Sequence, residues 1–457
     1  MIGFHTTLTY DLMKSIFGSL RHSPVTAKQL AARQTSRLQC LLRYAYRYSP
    51  YYRMLFEQRG LHPSDIRTTA DLTRLPILER HVARERMDEL ISTEVNPRLL
   101  LPRTTSGSSG APFPFPETAL ELFASNLFWA RCYMDCGYQP LSRQVKIVLP
   151  SQIRERRRAW ERFGLFRRIY LDATLSPDEK IERLRKLEPA LLVAWGNILD
   201  EIGWRLEDTN SHLDIPGVCS TASALWPDTR RRVEQRMGAR VFDLYGAVET
   251  GPAAWECGHH EGFHVHSDLV VVEIVDDEGR PARHGRLVCT VLWRRSLPLI
   301  RYAIGDTGEW ADGSDQGCNL PYPVLRALTG RETESVRLPN GIRVSPFTLR
   351  NALYERSPDR PGQLTYKPGI KQFQMVQETP SDFRLRIVPG SEFTPEVERS
   401  VLDAFHRQFG GAIRLRVVRV ERIASPPGVK FSPMISLEYI ERMKARGVET
   451  DVFTRAP

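Results

Sequence analysis

The spacing of hydrophobic positions changes along the chain, and each spacing predicts different elements. Over about the first 100 residues Leu30, Leu38, Leu41 and Ala45 recur at helical intervals, and Tyr44, Tyr48, Tyr51 and Tyr52 crowd the end of that stretch. This region is predicted to be helical, punctuated by Pro50, Pro63 and Pro76. From about Gln144 short apolar runs take over: Val145–Leu149, Ile169–Leu171, Leu191–Trp195, Val218–Ser220 and Val241–Tyr245. Between them, helices are predicted over Asp178–Leu187, entered through Ser176 and Pro177, and over Asp228–Met237, after Pro227. Strands alternating with helices of this length define a layered α/β fold.

Further on, Leu269–Val275 and Gly285–Leu292 flank an acidic glycine turn, Asp276–Gly279, which predicts an antiparallel pair. After about Gly330 the pattern changes again. Phe373–Val376, Phe383–Val388 and Ile413–Val418 alternate like strands, and Pro395–Phe409 reads as a helix. The predicted organisation is a large multilayer α/β domain over residues 1–329, its first 100 residues helical, and a small α+β domain over 330–457. With no repeat and no long low-complexity linker, the two should meet at a short hinge.

Composition narrows the function classes. The chain has 457 residues, 41% hydrophobic and 26% charged, which excludes wholesale disorder and is long enough for more than one domain. No apolar run approaches the length of a membrane span, and the start lacks the features of a signal peptide, so a cytoplasmic protein is expected. Seven cysteines scattered from Cys40 to Cys318 do not form a disulfide framework, and Cys132 and Cys136, one helical turn apart, read as buried core residues. The net charge of +10 favours anionic partners without choosing among nucleotides, coenzymes, nucleic acid and membrane surfaces. The densest basic run, Arg154–Arg162, is interleaved with glutamates and reads as a solvated helix face. No nucleic-acid reading motif accompanies it, so no specific nucleic-acid partner is expected.

Four segments carry chemistry. Thr104–Pro112 is rich in serine, threonine and glycine, whose amides and hydroxyls can cradle phosphate oxygens, although no Gly-Lys-Ser/Thr follows as in a Walker loop. Tyr245–Pro252 follows an apolar strand, where α/β sheets place ligands, and Glu249 within it could hold magnesium. Pro298–Asp306 ends in an aspartate suited to accept hydrogen bonds from a ribose diol, and Gly330-Arg331 and Gly341–Pro346 follow. Each segment alone is as compatible with an ordinary turn as with a site. Their order is informative.

In that order they resemble the adenylate-forming ligases, and within them the phenylacetate-CoA ligase-like and capsule-biosynthesis-type (coenzyme F390 synthetase-like) group. Thr105-Ser106-Gly107-Ser108-Ser109-Gly110 is similar to the phosphate loop, Tyr245-Gly246-x-x-Glu249 to the Tyr-Gly-x-x-Glu motif, and Arg301–Asp306 to the Arg-Tyr-x-x-Gly-Asp motif. Gly330-Arg331 resembles the hinge, and Gly428–Ser436 the segment of the catalytic lysine, here Lys430. The resemblance covers essentially the whole chain. It implies ATP-dependent activation of a carboxylic acid as acyl-AMP, then transfer to a thiol, foremost coenzyme A, by way of a rotating small domain. In these terms Lys430 stabilises the reacting carboxylate and α-phosphate, Glu249 holds Mg2+, Asp306 binds the ribose, and Arg331 the ribose or phosphate. An acyl carrier protein or an amine is an alternative acceptor, and a catalytically weak adenylate-binding scaffold an alternative role. Trp129, Tyr133, Trp195 and Trp255 would suit an aromatic acid, though an ordinary core explains them equally well. Oligomeric state stays open, a homodimer among the options.

The chain departs from the family pattern at several positions. Ala111 stands where the phosphate loop often has lysine, and Ser223, in the adenine-contacting segment Ser220–Pro227, stands where a glutamate is usual. Pro427-Gly-Val-Lys430 is less regular than the common Gly-Lys arrangement. The resemblance also implies structural Zn2+ at Cys257, His260 and Cys318. One cysteine of the usual set corresponds to Gln316; His264 or a water could replace it, and a metal-free, hydrogen-bonded remnant is the alternative.

Overall fold

The computed structural model describes residues 26–104, 114–153, 159–312, 318–331, 336–339, 343–344, 351–356, 364–410, 413–423, 431–445, 447–450 and 453. Among the described residues the first elements are helices α1 (Ala27–Tyr48) and α2 (Pro50–Gln58). Thr26 and Gln29 form a capping box on α1, satisfying backbone amides that would otherwise lack partners, and Pro50 starts α2 where a missing N–H costs nothing. Helices α3 (Arg80–Glu85) and α4 (Met87–Leu90) follow. The expectation of a helical first 100 residues holds only in part. Short 3-10 turns at Pro63–Asp65 and Ala70–Arg74 replace regular helix, and Leu100–Thr104 is a strand, β1. Pro63, Pro76 and Pro97 explain the interruptions, since proline removes a donor and restricts the residue before it.

β1 pairs antiparallel with β2 (Pro114–Thr118), and β2 runs directly into helix α5 (Ala119–Asp135). Thr118 and Glu121 make a capping box at that junction. The alternating region then forms as its pattern predicts: β3 (Gln144–Val148), α6 (Ala159–Arg162), β4 (Arg168–Asp172), α7 (Pro177–Leu187), β5 (Leu191–Trp195), α8 (Gly196–Asp208), β6 (Gly217–Thr221), α9 (Pro227–Met237) and β7 (Arg240–Ala247). Antiparallel strands complete the sheet: β8 (Gly251–Glu256), β9 (Phe263–Val265), β10 (Val270–Val275), β11 (His284–Val291), β12 (Tyr302–Trp310) and β13 (Val324–Arg331).

These strands make one mixed sheet of 11, in the order β10-β11-β12-β13-β9-β8-β7-β6-β5-β3-β4. The half from β4 to β7 is parallel and the rest antiparallel. Burial on both faces explains why the parallel strands read as continuous apolar runs; every residue of β5 is buried. One face packs Val145, Leu192 and Val218 against Ile181, Leu199 and Val233 of α7, α8 and α9. On the opposite side Leu191, Cys219 and Trp255 pack against Cys132 and Tyr133 of α5 and Cys136 just beyond its end. Both cysteines are therefore core residues, and all seven cysteines are free thiols. The antiparallel half is covered by the N-terminal helices, with Leu38, Leu41 and Phe56 in one core with Val270, Trp293 and Tyr302.

Beyond β13 lie the pairs β14 (Val336–Arg337) with β15 (Arg343–Val344) and β16 (Tyr354–Arg356) with β17 (Leu364–Tyr366). A four-stranded sheet follows, in the order β20-β19-β18-β21, from β18 (Ile370–Gln377), β19 (Asp382–Pro389), β20 (Arg414–Arg419) and β21 (Met434–Ile435). Helix α10 (Pro395–Phe409) packs Val401 and Phe405 into its core, and α11 (Leu437–Ala445) packs against the other side. This sheet touches the large one through α8. Trp204 donates to the Lys371 carbonyl at 2.7 Å, and the Lys371 ammonium meets Asp208 at 2.6 Å. Among the described residues no helix is long and apolar enough to cross a membrane.

Candidate active site

The site is built at the ends of β6 and β7, where the parallel half of the sheet gives way to the antiparallel half, and on β12 within the antiparallel half. The Tyr245 hydroxyl donates to the Asp306 carboxylate at 2.7 Å, joining two motifs 61 residues apart. Gly305 has φ +85°, a conformation that costs glycine nothing and that directs the chain into Asp306. Asp306 is also the register partner of Arg331 across β12 and β13, so the hinge motif starts beside the aspartate. The arginine that opens the same motif has a different role. Arg301 is buried, pairs with Glu273 at 3.0 Å and also donates to the Leu75 carbonyl, tying the N-terminal region to the sheet.

Gly246 is required by close approach. A Cβ there would lie 2.3 Å from the Gly251 carbonyl oxygen and 3.0 Å from the Trp129 ring. Glu249, in the turn between β7 and β8, is 3% exposed, with the Arg80 guanidinium 3.5 Å from its carboxylate. A nearly buried carboxylate at a strand end can serve a hard cation, which prefers oxygen ligands. Its turn is braced from behind. Arg294 donates to the Glu249 carbonyl at 2.9 Å and the Val248 carbonyl at 2.7 Å, and Trp293 to the Thr250 carbonyl at 3.2 Å.

Ser223 lies in the loop after β6, where its hydroxyl is 3.4 Å from Asn197 Oδ1. Ala222 has φ +62°, a left-handed conformation in a residue with a Cβ, and Gly196 lets the start of α8 press against the Ala224 carbonyl. Thr105–Gly110, Ala111 and Lys430 lie outside the described residues, as do Gln316 and much of Gly341–Pro346. What is described of the glycine-serine segment is its base, the β1–β2 ribbon. There Glu117, fully buried, accepts from Arg103 at 2.7 Å and Arg294 at 3.0 Å. Glu121 accepts from the Thr118, Arg295 and Ser296 amides at 2.9, 2.7 and 2.9 Å. The sequence reading missed Glu117, Glu121 and Arg294. Only the capping pattern Thr118-x-x-Glu121 marks any of them in the sequence.

The histidines divide. Cys257, His264 and Cys318 bring their ligand atoms within 4.8 Å of one another, with Cys318 Sγ 3.3 Å from His264 Nε2. Ligands around a tetrahedral zinc, with Zn–S about 2.3 Å and Zn–N about 2.0 Å, would sit at comparable separations. Burial lowers the pKa of His264, which keeps a lone pair available, and burial raises that of Cys257, whose thiol a metal would have to deprotonate. His260, expected with the two cysteines, is instead 3.2 Å from Glu256, with Arg230 2.9 Å from its ring. His266 points inward, 3.1 Å from the Cys132 thiol and 2.8 Å from Arg131.

The pairing of His260 has a consequence beside the Ser223 loop. Burial opposes the charge on Glu256, yet the His260 hydrogen bond and the Arg230 guanidinium hold its pKa below the ordinary value. Asp243, opposite Ser220 in the β6–β7 register, bears the cost: burial, then the Glu256 charge, push it up to about 7.

Against this geometry stand three comparisons. No family model matches the chain. In sequence it is 24% identical over 350 residues to a phenylacetate-coenzyme A ligase of Escherichia coli, covering 71% of this chain and 76% of that protein. It is 23% identical over 426 residues to a protein of the same name from Thermus thermophilus, covering 86% and 89%. Among solved structures it overlays a 2-hydroxyisobutyryl-CoA ligase, in the postadenylation state with an acyl-AMP, at a TM-score of 0.72, with 18% identity and 93% of each chain covered. The chain shares the fold of that ligase. In sequence the chain is similar to phenylacetate-coenzyme A ligases.

Asp243 makes stability depend on pH. From about pH 4 to 7 the folded state holds a proton that the unfolded chain releases, so this residue makes stability fall as pH rises through that window. Asp243→Asn should therefore melt progressively higher relative to wild type as pH goes from about 5.5 to about 7.5. A melting-temperature difference constant across that range would contradict the assignment.

Proposed function

We propose that the chain is an ATP-dependent carboxylate ligase that forms an acyl-AMP with release of pyrophosphate and transfers the acyl group to coenzyme A. The observation that carries this reading is the Tyr245 to Asp306 hydrogen bond at 2.7 Å beside the buried Glu249, which unites two motifs in the fold of acyl-adenylate-forming enzymes. The names of the relatives support coenzyme A as acceptor, and the positive net charge suits such an anionic partner.

The chemistry follows from electrostatics. A carboxylate is a poor electrophile, and attack of its oxygen on the α-phosphate of ATP converts it into a mixed anhydride with AMP as a good leaving group. Charge builds on the phosphate oxygens in a site that must exclude water. Asp306 accepts hydrogen bonds from the ribose, with Tyr245 fixing its orientation. In this reading the Ser223 loop binds the adenine and Thr105–Gly110 bind the phosphates. Arg331 contacts ribose or phosphate. Glu249 would hold magnesium, which neutralises phosphate charge when bound. Lys430 would meet the carboxylate and α-phosphate oxygens, a contribution of roughly 3 to 4 kcal/mol to the barrier by analogy with oxyanion donors. The proposed organisation assigns 1–329 to nucleotide and acid, and 330–457 to a mobile small domain carrying Lys430.

Acid-dependent exchange of pyrophosphate into ATP, screened over aromatic and small aliphatic acids, tests the reading. The wild type should exchange with at least one acid, and Lys430→Ala should lose on the order of 100-fold or more. ATP binding without exchange for any acid would instead favour an adenylate-binding scaffold, consistent with Ala111 and Ser223 replacing the usual lysine and glutamate.

We also propose a structural zinc on Cys257, His264 and Cys318. Elemental analysis of protein purified without a histidine tag should find about one zinc per chain, lost in His264→Ala and retained in His260→Ala. A ratio near zero, or equal loss in both variants, would exclude this ligand set.

A further inference from the structure

Arg294 stands at none of the motifs, yet it touches two of the elements that carry them. It is fully buried, and all three of its guanidinium nitrogens are used in different directions. Nη1 donates to the Glu117 carboxylate on β2 at 3.0 Å, Nη2 to the Val248 carbonyl at 2.7 Å, and Nε to the Glu249 carbonyl at 2.9 Å. The guanidinium plane is clamped, its carbon 4.5 Å from the Phe115 ring and 4.3 Å from the Trp293 ring. Its own backbone is fixed as well: the next two amides, of Arg295 and Ser296, donate to Glu121 at the start of α5.

These contacts reach two places that must be in register for chemistry on a triphosphate. Residues 105–113 leave β1 at Thr104 and rejoin at Pro114, so the ribbon that Glu117 belongs to sets where the glycine-serine segment starts and ends. The Val248 and Glu249 carbonyls belong to the turn that aims the Glu249 carboxylate. We propose that Arg294 is a positioning residue for the metal-nucleotide complex, holding the β1–β2 ribbon and the Glu249 turn at one fixed spacing. This rests on the reading that the glycine-serine segment binds phosphates and Glu249 the metal. Arg294 does not touch substrate in this scheme. Its effect is on how well a metal held by Glu249 meets phosphates held by the segment that the ribbon anchors, because misplacement of a binding group by even an ångström weakens a preorganised site.

The planar fork is the point. A lysine keeps the charge but has one nitrogen, and cannot span a carboxylate and two carbonyls at once. Removing the arginine also strands the buried Glu117 carboxylate with Arg103 as its remaining cation, so loss of stability must be separated from loss of positioning. The double variant Arg294→Gln with Glu117→Gln makes that separation, since it removes the stranded charge while leaving the coupling broken.

The test is acid-dependent pyrophosphate exchange at fixed ATP with magnesium varied, run on wild type, Arg294→Lys, Arg294→Gln, Glu117→Gln and the double variant, with melting temperatures taken alongside. The half-saturating magnesium concentration should rise about tenfold or more in both Arg294 variants and stay raised in the double variant, even where its melting temperature recovers. Exchange at saturating magnesium should change much less. A half-saturating concentration equal to wild type in folded Arg294→Lys, or one that recovers in step with melting temperature in the double variant, would overturn the proposal. Absence of exchange in the wild type itself would overturn instead the ligase reading beneath it.

Discussion

A fully buried ion pair organises this molecule. Glu117 and Arg294 have no solvent exposure, and each is held in turn by partners from elsewhere: Arg103 on the carboxylate, two backbone carbonyls on the guanidinium. Burying opposite charges is costly unless both are fully hydrogen-bonded, and breaking such a pair from one side typically costs about 3 to 5 kcal/mol. The fold meets that condition by converging three segments on one point: the ribbon before α5, the turn after β7, and the Trp293–Ser296 stretch after β11. Glu121 repeats the solution one turn into α5, closing the helix cap and the Arg295 and Ser296 amides with a single carboxylate.

From that point the site follows outward. The turn after β7 is braced, so Glu249 is aimed. β7 itself presents Tyr245, and Gly246 leaves room for β8 and Trp129 to close on it. Tyr245 reaches across to Asp306, whose strand pairs with the one ending at Arg331. The proposed binding groups thus sit on strand ends and tight turns of the sheet, the arrangement that α/β folds favour for ligands. The cysteine and histidine cluster lies on the same sheet further along. There Trp255 packs between its His264 and the buried His266, with centroids 5.4 and 4.1 Å away.

Much of this was legible in the chain because burial on both faces writes itself into composition. Leu191–Trp195 could hardly be anything but a central strand, and Ser176-Pro177 with Glu179 announces the start of α7. Motif order was legible too, since spaced glycines and acids can be recognised without coordinates. The divisions among like residues were not. The histidines and cysteines near residue 260 offered several ligand sets, and only the strand pairing of β8, β9 and β13 shows that His264 faces Cys318 while His260 turns to Glu256 and Arg230. Nor could Arg294 be found, because its partners are 177 and 45 residues away and an arginine next to another arginine reads as surface. The proline-broken segment before β1 misled in the opposite sense, its apolar residues suggesting helix where the chain makes single turns.

If separated stretches of the chain surround one nucleotide, they should respond to it together, and amide hydrogen exchange measured with and without ATP and magnesium addresses this directly. Peptides covering 219–226, 244–251 and 303–308 should slow together when the nucleotide is added, while β19 and β20 stay unchanged. Protection confined to one of those peptides, or found only outside them, would contradict it.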